Sequence, residues 1–282
     1  LSIYRQPVAR IAASRWILEN IPTAVVLHTA DGSQVSVPAD PEALSLQRDL
    51  DTSISLVLTN EAEVHAVILP RVDGQGIGGR RLLEVELLGG HSEAVSIVLT
   101  DSGSSAVTLP LPQPALLRAD SFYDLTLRVL EGEPVQLQTS VIANEHWDDA
   151  LPLRVDGADP FRNWYADLKS SPSGQMNHYD NDSPAKRREL LNWLNEADYI
   201  ILSSNRLYAS IPRLPKRYPL TTAYYERLFE GSLGFKLTAT FHSYPALGAC
   251  EFPDQEQPFS PMASSCFTLA GNRMLFSRWM CS

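Results

Sequence analysis

Three short clusters hold the side chains best suited to chemistry: Glu145-His146-Trp147-Asp148-Asp149, Ser203-Ser204-Asn205-Arg206 and His242-Ser243-Tyr244. Each follows an apolar, β-favouring run, namely VIAN (Val141 to Asn144), YIIL (Tyr199 to Leu202) and FKLTATF (Phe235 to Phe241). Polar residues just past such strands sit at the carboxyl edge, where open parallel sheets take their ligands. Together they offer histidines, carboxylates, an arginine and hydroxyls, a set fit for acid–base work or for holding a sugar or a phosphate.

The sign of charge reverses locally beside these clusters. From Arg206 to Tyr218 there are four basic residues (Arg206, Arg213, Lys216, Arg217) and no acidic one, in a chain of net charge -10. A helix follows, TAYYERLFEG, read as capped by Thr221 or Thr222 and ended by Gly231, and its first amides suit an anion. The expected sugar or lipid-phosphate site is therefore Glu145, His146, Asp148, Asp149, Ser203, Asn205, Arg206, Arg213, Arg217 and Thr222, with no catalytic residue assigned. A plainer reading stands beside it. Glu145 to Asp149 can pair with the basic loop as a salt-bridge network, His242 can be a satisfied strand-end histidine, and Tyr224 and Tyr225 can be packing residues.

Other chemistries find little support. Ser203 and Ser204 lack the glycines of a nucleophile elbow, so serine hydrolysis is disfavoured. Cys250, Cys266 and Cys281 include no C-x-x-C pair and no close histidine, so one disulfide is open and a zinc site or other cofactor is not expected. GQGIGG (Gly74 to Gly79) has dinucleotide-loop spacing, yet it leads into RRLLEVELL, a strand pattern, and reads as a hairpin loop. Asn181-Asp182-Ser183 fits a glycosylation sequon, but Ser183 is better used as a helix cap. A pI near 5.1 argues against a nucleic-acid partner.

The elements that must position these groups fall into two textures. VARIAASRWILEN (Val8 to Asn20) is an amphipathic helix with Ile11, Ala12, Trp16 and Ile17 near one face, stopped by Pro22. From Thr23 to Ser140 nine short β-rich runs succeed one another: AVVLHT, SQVSVP, SISLVLT, EVHAVILP, RLLEVELL, AVSIVLT, SAVTLP, FYDLTLRVL and PVQLQTS. They point to an all-β sandwich of jelly-roll kind. After Ser140 strands alternate with helices, the first helix capped by Ser183 with Pro184 at its first position. That order predicts a small parallel α/β sheet, closed by a hairpin of FTLA and RMLFS around Gly271-Asn272. The polar stretch 156–182 reads as a long loop with one short helix near Phe161 to Lys169. The expected organisation is thus an α/β domain, residues 1–22 and 141–282, carrying the sandwich 23–140 as an insertion.

At 282 residues the chain has room for two domains, and no run reaches the ~18 apolar residues of a membrane helix. It reads as soluble, and, beginning at Leu1 rather than methionine, as a piece of something longer.

Two blocks go beyond pattern: YRQPVARIAASRWILENIP near the start, and VIANEHWDDALPL together with DSPAKRRELLNWLNEADYIILSSNRLYASIPRLPKRYPLTTAYYERLFEGSLGFKLTATFHSYPALG. They resemble the extracytoplasmic C-terminal portion of bacterial polytopic membrane proteins, the glycosyltransferase-like family related to dolichyl-phosphate-mannose protein mannosyltransferases and including the YYY-type membrane proteins. The β-rich segment 23–140 is outside the resemblance, and the tail after Pro253 departs from the family pattern. The resemblance implies a region at the extracytoplasmic face of the bacterial cell membrane, anchored through transmembrane helices absent from this chain. It implies as partner a polyprenyl-phosphate sugar or a glycan acceptor. The implied role is recognition rather than catalysis, since the family's catalytic carboxylate lies in a loop not present here. A carbohydrate-binding module working through the sandwich is the alternative, weakened because only Phe122 and Tyr123 are aromatic between Thr23 and Ser140. A free-standing hydrolase using His146 with Asp148 or Asp149 comes last.

Overall fold

The computed structural model describes residues 9–39, 44–74, 77–87, 91–99, 105–145, 151–153, 165–168, 178–203, 206–241, 246–247, 250–251 and 273–278. The chain divides into two compact units, one formed by residues 16–140 and 159–165, the other by 1–15, 141–158 and 166–282. Helix α1 (Ala9–Asn20) buries Ala9, Ala13 and Ile17, spaced four apart, while Ile11 is exposed. The apolar face is therefore rotated from the one expected through Ile11 and Ala12, because small alanines pack closest.

The first unit is antiparallel β throughout its described strands: β1 (Val25–Thr29), β2 (Gln34–Val37), β3 (Ser45–Leu46), β4 (Thr52–Val57), β5 (Ala62–Asp73), β6 (Gly79–Leu87), β7 (His91–Leu99), β8 (Ser105–Leu117), β9 (Phe122–Glu131) and β10 (Val135–Leu137). All nine β-rich runs form strands, and the two-residue β3 is added. One sheet runs β2-β1-β5-β10-β3 with β8 also on β5, and the other runs β4-β9-β6-β7. Residues 64 to 68 of β5 pair with β1 on one edge and β8 on the other, so β10 continues the β1 edge further along.

Alternation does the work here. Ile54 and Leu56 of β4, Leu83, Val85 and Leu87 of β6, and Leu125, Leu127 and Val129 of β9 point into one buried cluster with Val64, Val67, Leu69 and Val72 of β5. On the wet face, Arg128 of β9 bridges Glu84 and Glu86 of β6, each at 3.0 Å, and Asp51 at 2.6 Å. Three of the residues in β8 are prolines, Pro110, Pro112 and Pro114, and the β5–β8 register slips between Val64 and Ala66, where they fall. The glycine-rich GQGIGG is not a hairpin loop: β5 and β6 lie in different sheets, so it carries the chain across. The buried Arg81 ties that crossing down by donating to the carbonyls of Ile77 at 2.6 Å, Gly79 at 3.0 Å and Glu133 at 3.3 Å.

The second unit holds β11 (Val141–Asn144), β12 (Ala166–Asp167), α2 (Pro184–Glu196), β13 (Tyr199–Leu202), α3 (Pro219–Phe229), β14 (Phe235–Phe241), β15 (Ala246–Leu247), β16 (Cys250–Glu251) and β17 (Arg273–Arg278). Its main sheet, in the order β12-β11-β13-β17-β14, is mixed. β12, β11 and β13 are parallel, but β17 inserts antiparallel between β13 and β14. The expected parallel α/β sheet is thus corrected: with the named strands of the first unit all paired antiparallel, the protein is mostly antiparallel β. Both edges of β17 are occupied, by β13 and β14, and the FTLA half of the expected hairpin lies outside the described residues. Ala166–Asp167 is a strand where a short helix was expected, and most of the surrounding loop is likewise outside the described residues.

Candidate functional site

β11 and β13 run parallel with Asn144 opposite Ile201, which sets their carboxyl ends side by side. Glu145 follows the first and Ser203 the second, and the Glu145 amide still donates to Ile201 O at 3.3 Å. Both side chains are buried.

Two helices deliver the remaining groups. Ser183 caps α2, its hydroxyl accepting from Lys186 N at 3.1 Å with Pro184 at the first position, as the sequence predicts. That geometry turns Lys186 inward. Its ammonium is within 2.7–2.9 Å of Thr221 Oγ1, His178 O, Asp180 O and Asp182 Oδ1. The other Asp182 oxygen accepts from Leu220 N at 2.5 Å at the start of α3. The helix begins at Pro219 rather than being capped by Thr221 or Thr222, and the anion at its amino end is the protein's own Asp182. α3 stops at Gly231, at φ +77, where Gly231 N donates to Leu228 O and Ser232 N to Arg227 O.

Between these ends α3 presents Tyr224 and Tyr225 to Glu145. Tyr224 donates to Oε1 at 2.5 Å and Tyr225 to Oε2 at 3.0 Å. His178 stacks on Tyr224 with ring centres 5.5 Å apart and planes 9° from parallel. Its Nε2 is 3.9 Å from Glu145 Oε1, beyond hydrogen-bond reach. Burial pushes the Glu145 carboxyl up to about 8 against the opposing pull of the two tyrosine hydrogen bonds. Burial, with the Lys186 charge behind it, holds His178 down at about 3. Burial favours the neutral form of both groups, and at this distance they make no close ion pair. Burial and the Glu145 carboxyl together push both tyrosine hydroxyls well above their usual range.

Several side-chain atoms of this unit are buried without a hydrogen-bond partner: both ring nitrogens of His178, which faces the carboxyl, and also Ser203 Oγ, Thr222 Oγ1 and Asn144 Nδ2. Each such atom costs about 1–3 kcal/mol, and natural proteins keep few of them unless a ligand or water is to meet them.

Of the residues expected at the site, Glu145, Ser203 and Thr222 are buried, whereas Arg206, Arg213 and Arg217 are exposed. Glu145 makes no ion pair with the basic loop: its hydrogen-bond partners are tyrosines. His146, Asp148, Asp149 and Asn205, with the cluster at His242, fall outside the described residues. Tyr224 and Tyr225 do pack, but they also hold the carboxyl. His178, Asp182 and Lys186 were missed at the sequence level. Among the described residues no group of three or more His, Cys, Asp or Glu is placed to hold a metal ion. None of the helices described is long and apolar enough to cross a membrane.

Comparison with protein-family models, with curated proteins and with solved structures found no match.

Proposed function

We propose that this chain is the extracytoplasmic recognition region of a membrane glycosyltransferase-like protein, binding the sugar of a polyprenyl-phosphate donor or of a glycan acceptor. The resemblance of its two sequence blocks supplies the class. The observation that carries the site is the buried polar cluster of Glu145, Tyr224, Tyr225 and His178, with unpartnered atoms on His178 and, elsewhere in the same unit, on Ser203 and Thr222. A neutral carboxyl, two phenols, an imidazole and two hydroxyls are groups that exchange hydrogen bonds with sugar hydroxyls. Stacked and tilted aromatic rings add the apolar surface that a sugar's C–H face prefers. Arg206, exposed shortly after β13, is the nearest cation in sequence for a phosphate.

Calorimetric titration of the chain with a water-soluble short-chain polyprenyl-phosphate sugar, and with free oligosaccharides, tests the reading. Binding lost in Ser203→Ala or Thr222→Val supports it; undiminished binding in both, or no binding of either ligand, overturns it.

One pocket favours a second reading. In the β unit a cavity of about 440 Å³ opens between the β1–β2 turn and the β4–β5 turn, lined by Asp31, Ser33, Thr59, Asn60, Glu61 and Glu63 among others. Phe122 of β9, paired with Val57 of β4, is 85% exposed. On this reading the unit is a jelly-roll-like carbohydrate-binding module. Oligosaccharide binding that survives changes at Ser203 but is lost in Asn60→Ala or Phe122→Ala would favour it.

A further inference from the structure

The segment Arg213-Leu214-Pro215-Lys216-Arg217 is exposed at every residue. It sets three cations around a leucine that is 52% exposed. None of the three makes an ion pair with a described carboxylate, in a protein of net charge -10. A run of cations with no described carboxylate against it is available to something outside the chain.

The segment is also stiff. Ile211 N donates to Leu207 O at 2.9 Å, Leu214 N to Ile211 O at 2.9 Å and Tyr218 N to Leu214 O at 3.0 Å, a succession of turns. Ile211 and Tyr218 anchor its two ends in the core. The Arg217 guanidinium lies 5.0 Å from the centre of the Tyr218 ring. Edge-on to that ring, at 6.4 Å, is Tyr179, itself 48% exposed. Its hydroxyl is held by Ser210 Oγ at 2.8 Å and Arg206 O at 3.2 Å. A preformed backbone loses little freedom on binding, so less of the attraction is offset by the cost of ordering it.

We propose that this run docks on an anionic lipid bilayer, its three cations facing headgroup phosphates and Leu214 entering the boundary of the acyl chains. Cations in company with an exposed leucine and an exposed tyrosine are the composition of a membrane-interface contact. A soluble phosphate would engage the cations and leave Leu214 without a role. The negative remainder of the molecule is repelled by the same surface, which orients the chain so that this run faces the bilayer. The inference does not depend on the strand-end cluster.

The test is co-sedimentation of the full chain with vesicles of phosphatidylcholine alone and of phosphatidylcholine with phosphatidylglycerol, neither containing polyprenyl phosphate. Binding is expected to the anionic vesicles, to fall with added salt, and to be weak or absent with the neutral ones. Arg213→Ala, Lys216→Ala and Arg217→Ala should each weaken it about fivefold, and together about a hundredfold. Leu214→Ser should weaken it at low and high salt alike. All four positions are exposed, so the melting temperature should be unmoved, and it is measured alongside. No binding to anionic vesicles, equal binding to neutral ones, or a triple variant that binds like the parent overturns the proposal. The last outcome, or capture by an acidic protein in place of lipid, redirects the surface to another partner. Failure of sugar recognition at Glu145 leaves every one of these readouts unchanged.

Discussion

Two buried polar groups, Lys186 and Glu145, sit in the same unit and are handled in opposite ways. The Lys186 ammonium sits among four close oxygen atoms, one of them a carboxylate oxygen of Asp182. Glu145 has no described cation beside it, is pushed toward its neutral form by burial, and faces His178, whose ring nitrogens lack hydrogen-bond partners. The first arrangement joins three pieces of backbone: the segment at His178 to Asp182, the start of α2 and the start of α3. The second joins only side chains. A cluster whose hydrogen bonds are complete is built for stability; one left incomplete has capacity to bind, and is stable only because the first holds its frame.

The comparison can be broken most forcefully at Lys186. Lys186→Met takes the shared donor from the buried His178 carbonyl, from Thr221 and from the half-buried Asp182, so urea denaturation of the second unit should show a loss of about 3 kcal/mol. If the loss is under 1 kcal/mol, the clasp is not what frames the site.

The next largest effect is in pH dependence. A carboxyl raised from 4.5 to about 8 on folding favours the folded state at low pH and loses that contribution as pH rises from 4.5 through 8. An imidazole lowered from 6.5 to about 3 contributes above 6.5 and loses its contribution as pH falls through 3. Between 4.5 and 6.5 the two slopes oppose each other. From these groups the second unit should therefore gain stability from pH 3 to 4.5, hold a plateau, and decline from 6.5 to 8. Glu145→Gln, which has no proton to lose, should remove the decline above 6.5, as denaturation midpoints across that range would record.

Smaller effects sharpen the contrast. Ser203→Ala removes a buried hydroxyl that has no partner, so the melting temperature should stay level or rise, by an amount equivalent to at most ~1 kcal/mol. Thr221→Val, which takes a partner away from Lys186, should cost about 1 kcal/mol in the same measurement. Equal costs at the two positions would erase the distinction between a complete cluster and an open one.

Much of the fold is written in local periodicity, and that part was legible. β4, β6 and β9 alternate inward and outward side chains strictly enough to be read one at a time, and Ser183-Pro184 announces its helix in two residues. What depends on distant pairing was not. Nothing in RMLFS says that it will sit between β13 and β14, since a short apolar strand fits any vacant edge. Because β17 took that place, the sheet became mixed. Lys186 stands in the string Lys186-Arg187-Arg188, which reads as a solvated face; only the roll set by the Ser183 cap turns the first of the three inward. His178 lies in an aperiodic stretch with no signal of burial. Glu145 was found by its position at a strand end, but its partners were not, because two adjacent tyrosines on an amphipathic helix read first as packing.

The placement of β17 has a consequence for biosynthesis. β13 ends at Leu202 and β14 at Phe241, yet the strand that joins them spans Arg273–Arg278. During translation both strands leave the ribosome with an open edge, and the sheet closes only once the chain has been made through Arg278. The β unit meanwhile can complete its pairings, since all its strands lie between Val25 and Leu137. The interval before β17 arrives is when the exposed edges of β13 and β14 are most open to pairing with a neighbouring chain.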